Sequence, residues 1–311
     1  MAVVAILAIA VSALIVAWGD AAAVLGALAR FPPGLLVPVV LLTLWNYGLR
    51  YLRWNFFLHV LGVTGVSKVD SALVFLSGFA MGLTPGKSGE LTKSYWLREL
   101  AGPERAPFAR TAPIVFAERL VDGIAMLLLA TSGLVTFRFG VAALLGVAAL
   151  AVAAVGVLQA RPLVYLGLGW LRGRARTARA AAVLETLYES ARALLTWPRL
   201  ALAVGVGVVS WGGECLALYV ILVGLGALPG LELLNQATFA LAAGSLVGSA
   251  SLLPGGIGAA EGTVAAVLDL VAGQPRDVAA AATLLIRVCT LWFGVALGAA
   301  ALLALARRIR L

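Results

Sequence analysis

Apolar residues in this chain run in long continuous blocks, without the alternation of a sheet face. Uninterrupted runs lie near 2–18, 34–60, 111–136, 139–159, 200–226 and 278–305. Most reach or exceed the roughly 20 residues a helix needs to cross a bilayer core of about 30 Å. Their continuity predicts helices and excludes a β-barrel, whose strands alternate between lipid and lumen. Two further apolar segments, 68–100 and 232–272, are interrupted. The first is broken at Thr84-Pro85-Gly86-Lys87-Ser88-Gly89-Glu90, the second at Leu253-Pro254-Gly255-Gly256-Ile257-Gly258-Ala259-Ala260-Glu261. An arginine inside another apolar run follows each proline, Arg119 at 34 residues and Arg287 at 33. The pattern predicts a duplicated membrane unit with a polar site at each break.

Composition agrees with that reading. The 311 residues are 62% hydrophobic and 12% charged, with a mean hydropathy of +1.04, which no soluble domain of this length matches. The run at 2–18 lacks a basic leader region, so an uncleaved first span is expected rather than a signal peptide. Cys215 and Cys289 lie inside apolar runs without metal or disulfide spacing and are expected to be small packing residues. Glycines at 205, 207, 212 and 213 offer faces for close helix packing, within the chain or between chains.

The net charge of +9 is distributed as a topology signal and does not point to nucleic acid. Residues 161–199 carry seven Arg and two Glu, and Arg307, Arg308 and Arg310 close the chain. The positive-inside rule places both regions in the cytoplasm. The connector 161–196 sets Trp170, Leu171, Val183, Leu184, Leu187, Tyr188 and Leu194 among its arginines, as expected of an amphipathic segment on anionic headgroups. Counting outward from it, segment 232–272 begins and ends outside and segment 68–100 begins and ends inside. The expected fold is therefore an all-α polytopic membrane protein of two inverted repeats. Each repeat has two spans, a Pro-Gly broken or re-entrant helical hairpin and one further span. The first membrane repeat is 1–160, the second 197–311, and both termini are cytoplasmic. Inverted repeats with discontinuous helices are the architecture of secondary transporters.

Candidate chemistry concentrates at the breaks. Pro85, Gly86, Gly89, Pro254, Gly255, Gly256 and Gly258 are assigned to hairpin geometry, since irregular backbone at membrane depth must be buried or face water. Lys87, one of only three lysines against twenty arginines, is read as a headgroup or phosphate contact, with Glu90 as a candidate partner. Lys93 is read as either a headgroup contact or a topology charge. Glu118 and Asp122 share a helix face beside Arg119, and ionisable groups in a span usually face a cavity or a partner. Arg119 and Arg287 either meet a headgroup or tie their own hairpins through Glu90 and Glu261. Arg50 and Arg53, near Trp45 and Asn46, either greet an anionic headgroup or snorkel. Glu214 is a candidate proton carrier with Arg287 as its possible partner. With Glu118 and Asp122 it completes the set for ion or proton coupling. His59, the only histidine, is expected at the interface.

Two motifs are discarded. The stretch Gly82–Ser88 imitates a phosphate loop, but Met81 stands where its first glycine belongs. Gly256-Ile-Gly258-Ala-Ala-Glu261 is an incomplete dinucleotide fingerprint outside any strand–helix context. A single histidine leaves no nucleophilic triad. No enzyme activity, cofactor or metal is expected.

The run Pro85-Gly86-Lys87-Ser88-Gly89-Glu90, then Glu118-Arg119 with Asp122, then Pro254-Gly255-Gly256-Ile257-Gly258 with Glu261, resembles the lysylphosphatidylglycerol synthase transmembrane-region family. This is the flippase-like membrane domain of the multiple peptide resistance factor, also found as stand-alone proteins. The resemblance implies a bacterial inner-membrane protein that moves phospholipids, aminoacylated phospholipids or polyprenyl-phosphate-linked sugars between leaflets. Its partners would be lipids with anionic or zwitterionic headgroups. The chain shows no counterpart of the soluble aminoacyl-transfer domain, so synthase activity is not implied. The alternative is a non-transporting lipid-binding subunit that serves a separate glycosyltransferase or aminoacyltransferase. A small-solute transporter is a weaker third option, which a cavity opening to the bilayer would disfavour.

Overall fold

A computed structural model describes residues 2–137, 145–146, 148–149, 152–153, 155–156, 159–172 and 178–309. The described chain is helical throughout, without strands. Helices α1 (Ala2–Trp18) and α2 (Ala21–Arg30) meet at a 98° bend. Asp20 caps α2, accepting from the amides of Ala22 and Ala23. Then come α3 (Leu36–Val60), α4 (Lys68–Met81), α5 (Thr92–Ala101), the single turn α6 (Phe108–Thr111) and α7 (Pro113–Phe137). After the connector helices α8 (Arg161–Arg172) and α9 (Ala178–Leu194) follow α10 (Trp197–Gly224), α11 (Leu231–Ala250), α12 (Ala259–Ala266), α13 (Arg276–Arg287) and α14 (Phe293–Ile309). The span expected at 139–159 lies largely outside the described residues.

Among the described residues three helices are long and apolar enough to cross a membrane: Pro33–Val60, Trp197–Gly224 and Arg276–Ile309. The bent pair α1–α2 makes a fourth if it is one span. At 1.5 Å per residue the 25 residues of α3 extend about 38 Å. Helix α7 is equally long but carries Glu118, Arg119 and Asp122 in its first half.

Both sequence breaks are structural breaks. The first hairpin turns through a short 3₁₀ stretch at Pro85–Leu91 between α4 and α5, the second through Pro254–Gly256 between α11 and α12. Gly86 (φ 59°) and Gly255 (φ 61°) take the left-handed conformation that reverses the chain. Gly89 serves packing instead, since a Cβ there would lie 2.6 Å from the carbonyl of Met81. The two tips touch: the Gly86 amide donates to the carbonyl of Leu252 at 2.9 Å. Leu83 and Ile257, one from each tip, pack on Ala8, near the middle of α1.

Helices α3 and α10 pack along their lengths and run antiparallel. Phe31 and Leu35 meet Gly224, Trp45 meets Gly213, Ser210 donates to the Asn46 carbonyl, and Arg53 meets Gly207. Gly207 and Gly213 thus serve contacts inside the chain, while Gly205 and Gly212 face open space. Each hairpin's leading helix packs on the closing helix of the other half: α4 on α14, and α11 on α7. A Cβ at Gly298 would lie 2.5 Å from the Ala80 amide, so that contact requires glycine. Cys215 and Cys289 are both buried and free, as their setting suggested.

The two ends of the bundle differ in charge. One end gathers Lys68, Arg105 beside Gly65, Arg110 beside Gly62, and Arg308 bonded to Asp70 at 2.6 Å. The other gathers Asp20, Glu232, Asp269 and Asp277, with Arg276 bonded to Asp269 and lying over Trp18.

Candidate functional site: a polar cavity between two hairpin tips

Near the middle of the long helices lies a partly open cavity of about 340 Å³. Tyr47 and Arg50 of α3, Arg119 and Asp122 of α7, Trp211 and Glu214 of α10, Arg287 at the end of α13 and Thr290 just beyond it line the cavity, together with both tips. Its rim carries Lys87, Ser249, Leu252 and Leu253, and Leu252 is 66% exposed.

The charges are arranged as ion pairs drawn from distant parts of the chain. Lys93 donates to Glu118 at 2.5 Å and lies over the Trp54 ring at 4.7 Å. Arg53 donates to Asp122 at 2.6 Å, and Arg50 approaches the other oxygen of that carboxylate at 3.5 Å. Arg119 reaches Glu90 of the first hairpin at 3.1 Å. Arg287 binds Glu261 at 2.6 Å and the carbonyl of Gly255 at 3.1 Å. Glu261 also accepts from the Gly258 amide at 2.7 Å and so caps α12. Pairing of this kind is what allows charges to persist in a low-dielectric interior.

Each arginine therefore ties its own half's hairpin, one of the two roles considered for it, and both still line the cavity. Four other expectations change. Arg50 and Arg53 do not snorkel: both are buried, held from α3 by Asp122 of α7. Arg50 is fixed further between the rings of Phe79 and Trp211, at 5.5 and 5.3 Å. Lys93 is not a topology charge, since it is 3% exposed and closes the Glu118 pair. Lys87 makes no ion pair with Glu90 among the described residues. Arg119 and Lys93 occupy that carboxylate, the latter at 4.0 Å. Glu214 makes no ion pair with Arg287, which is committed to Glu261. Glu118 and Asp122 are bound to cations, so of the three coupling candidates only Glu214 stands unpaired among the described residues. His59 is exposed near the end of α3.

Tyr47, Trp211 and Thr290 were not anticipated. Tyr47 donates to the Thr290 carbonyl at 2.7 Å and packs on Phe79. Thr290 sits in a turn of π-helix at Val288–Trp292, directly after Arg287. Such turns are frequent at functional sites, but nothing in the local composition announces this one.

This geometry defines a polytopic helical membrane protein with a charged cavity between two broken helices. The chain belongs to the lysylphosphatidylglycerol synthase TM region family, whose family model matches residues 5–298. The membership implies a membrane function connected with lipid. No curated protein matches the chain.

Proposed function

We propose that the protein moves a phosphate-containing lipid between membrane leaflets, its headgroup passing through the central cavity while its tails stay in the bilayer. The observation that carries this reading is the cavity itself. It lies at mid-helix depth, is lined by Arg50, Arg119, Arg287 and Lys87, and is rimmed by exposed leucines of the second tip. An apolar rim at that depth suits a headgroup that arrives attached to acyl chains better than a small solute arriving from water.

The inverted repeat expected from charge parity is part of the proposal. The antiparallel α3–α10 contact and the exchange of partners, α4 with α14 and α11 with α7, support it. So does the split of basic and acidic charge between the two ends, which favours a cytoplasmic face at Lys68, Arg105 and Arg308 in a bacterial inner membrane. Opposed hairpins meeting near mid-depth are the arrangement of alternating-access carriers. The protein acts here as a carrier, with membrane lipids as partners. The drive is an ion gradient, the membrane potential or the lipid gradient.

Reconstitution into liposomes with a fluorescent short-chain phospholipid in one leaflet tests the reading. Purified protein should speed equilibration between leaflets, and Arg119→Ala should slow it at least tenfold. Lipid that binds but never changes leaflet would favour the other reading, a subunit presenting lipid to a separate glycosyltransferase or aminoacyltransferase.

A further inference from the structure

The charges on and behind the cavity wall do not cancel. Four cations line it, Arg50, Lys87, Arg119 and Arg287, against three acids, Glu90, Asp122 and Glu214. The buried groups behind them, Arg53 and Lys93 with Glu118 and Glu261, add two of each sign, so a surplus of one positive charge remains among the described residues. Four of the acids are held by cations in contacts of 2.5–3.1 Å. Two groups of opposite sign stand outside these pairs. The Lys87 side chain projects from the first tip with no ion pair or hydrogen bond among the described residues, while its backbone amide donates to the Thr84 carbonyl at 2.9 Å. The side chain of Glu214, 5% exposed on the wall of α10, likewise has none. The charged groups acting on Glu214 are Arg50 from α3, Arg287 from α13 and Asp122 from α7, with Tyr47 beside Arg50. All are fixed in other contacts.

From this imbalance we infer that the cavity is tuned to a headgroup bearing one net negative charge, with Lys87 demanding the charge and Glu214 limiting it to one. The inference rests on the lipid reading above and narrows its substrate class. A monoanionic phosphodiester brings the occupied site to neutrality. A zwitterionic headgroup leaves one positive charge uncompensated, and a cationic aminoacylated headgroup leaves two. A dianionic phosphomonoester leaves one uncompensated negative charge, placed against Glu214. Each residual charge in a site lined largely by protein is costly, because solvent relaxes around it less than in water. Geometry assigns the roles. Lys87 sits on the rim, where an arriving phosphate meets it first. Glu214 lies deeper, between guanidinium groups that an extra anionic oxygen would otherwise use.

The two residues should therefore shift selectivity in opposite directions, which a purely structural role would not do. Binding is measured by calorimetry on the full chain in detergent at pH 7.5. The probes are dioctanoyl phosphatidylglycerol, dioctanoyl phosphatidylethanolamine, dioctanoyl phosphatidic acid and inorganic phosphate. Wild type should bind phosphatidylglycerol at least tenfold tighter than the other two lipids, and inorganic phosphate should compete poorly. Lys87→Gln should erase the preference over phosphatidylethanolamine, and Lys87→Arg should restore it. Glu214→Gln should move the preference to phosphatidic acid. Thermal unfolding identifies variants that lose their fold, and the Lys87 pair, at an exposed tip, still decides the matter if Glu214→Gln is one of them. Equal affinity of wild type for all three lipids, or variants that shift all probes together, overturns the charge assignment and leaves the lipid reading standing. Absence of lipid binding by folded wild type overturns the lipid reading itself. Inorganic phosphate binding as tightly as phosphatidylglycerol makes free anion the ligand and removes both.

Discussion

The two hairpins solve one problem with different materials. Each must reverse the chain between two helices and account for backbone groups that a continuous helix would have satisfied internally. The second does so with one clamp: Arg287 holds the Gly255 carbonyl and Glu261, and Glu261 caps the helix that restarts behind it. The first uses short local bonds, with Thr84 Oγ1 accepting from the Gly89 amide at 2.6 Å. Behind it stands a network of four cations and three acids contributed by α3, α5, α7 and the tip. The self-contained clamp spends its charges on structure. The larger network can hold its tip through Glu90 and leave Lys87 uncommitted. The same Pro-Gly turn occurs at both breaks, and among the described residues the first tip alone carries an unpaired cation.

If the first hairpin depends on a dispersed network, removing one buried partner should cost the most. Lys93→Met leaves Glu118, 1% exposed, without its cation. It should lower stability by about 3–5 kcal/mol, read as an earlier thermal transition in detergent. The double variant Lys93→Met with Glu118→Leu should recover most of that loss. A smaller cost than at the second hairpin would break the comparison. Glu261→Ala should cost about 2 kcal/mol, the scale of hydrogen bonds to charged groups. Its Arg287 partner keeps the Gly255 carbonyl and is partly exposed.

Lys87 has a φ of 56°, which costs a non-glycine residue about 1 kcal/mol. Lys87→Gly should therefore raise stability by about that amount while slowing lipid movement at least tenfold. Strain kept where a function needs it behaves in this way. A glycine variant that transports normally would deprive the first tip of its special role. The smallest effect is expected at the connector, where Glu189 bonds Arg161 and Tyr165 at the surface. Glu189→Ala should leave the transition within experimental error. A clear drop would mean that the connector, rather than either tip, holds the bundle.

Some of this site could be read from residue spacing. The two Pro-Gly breaks, the arginines behind them and their ties to Glu90 and Glu261 follow from local sequence. A break that frees carbonyls needs a cation, and the repeat shows where one recurs. Lys93 carries a compositional signal of its own. In a chain of twenty arginines the few lysines cluster at 68, 87 and 93, and Lys93 proved to be the most buried of them. The burial of Arg50 and Arg53 carried no such mark. On α3 alone they look like any basic pair toward a helix end, and they become interior only because α7 brings Asp122 against them. Helix α2, packed on α13, was also missed, because ten short, mixed residues give no span signal.

The amino-acid sequence by itself determined the helical membrane class, the position of both breaks and the candidate hairpin ties. These depend on hydrophobic length, on proline and glycine backbone chemistry and on contacts within one half of the chain. Only the tertiary structure decided which charges cancel. The ion pairs join α3 to α7 and α5 to α7, and α3 meets α10 across more than 150 residues of sequence. Electrostatic neutrality belongs to a volume of space, and no stretch of sequence encloses that volume until the helices pack. That is why Lys87 and Glu214 emerge as the uncommitted pair only once every other partner has been found.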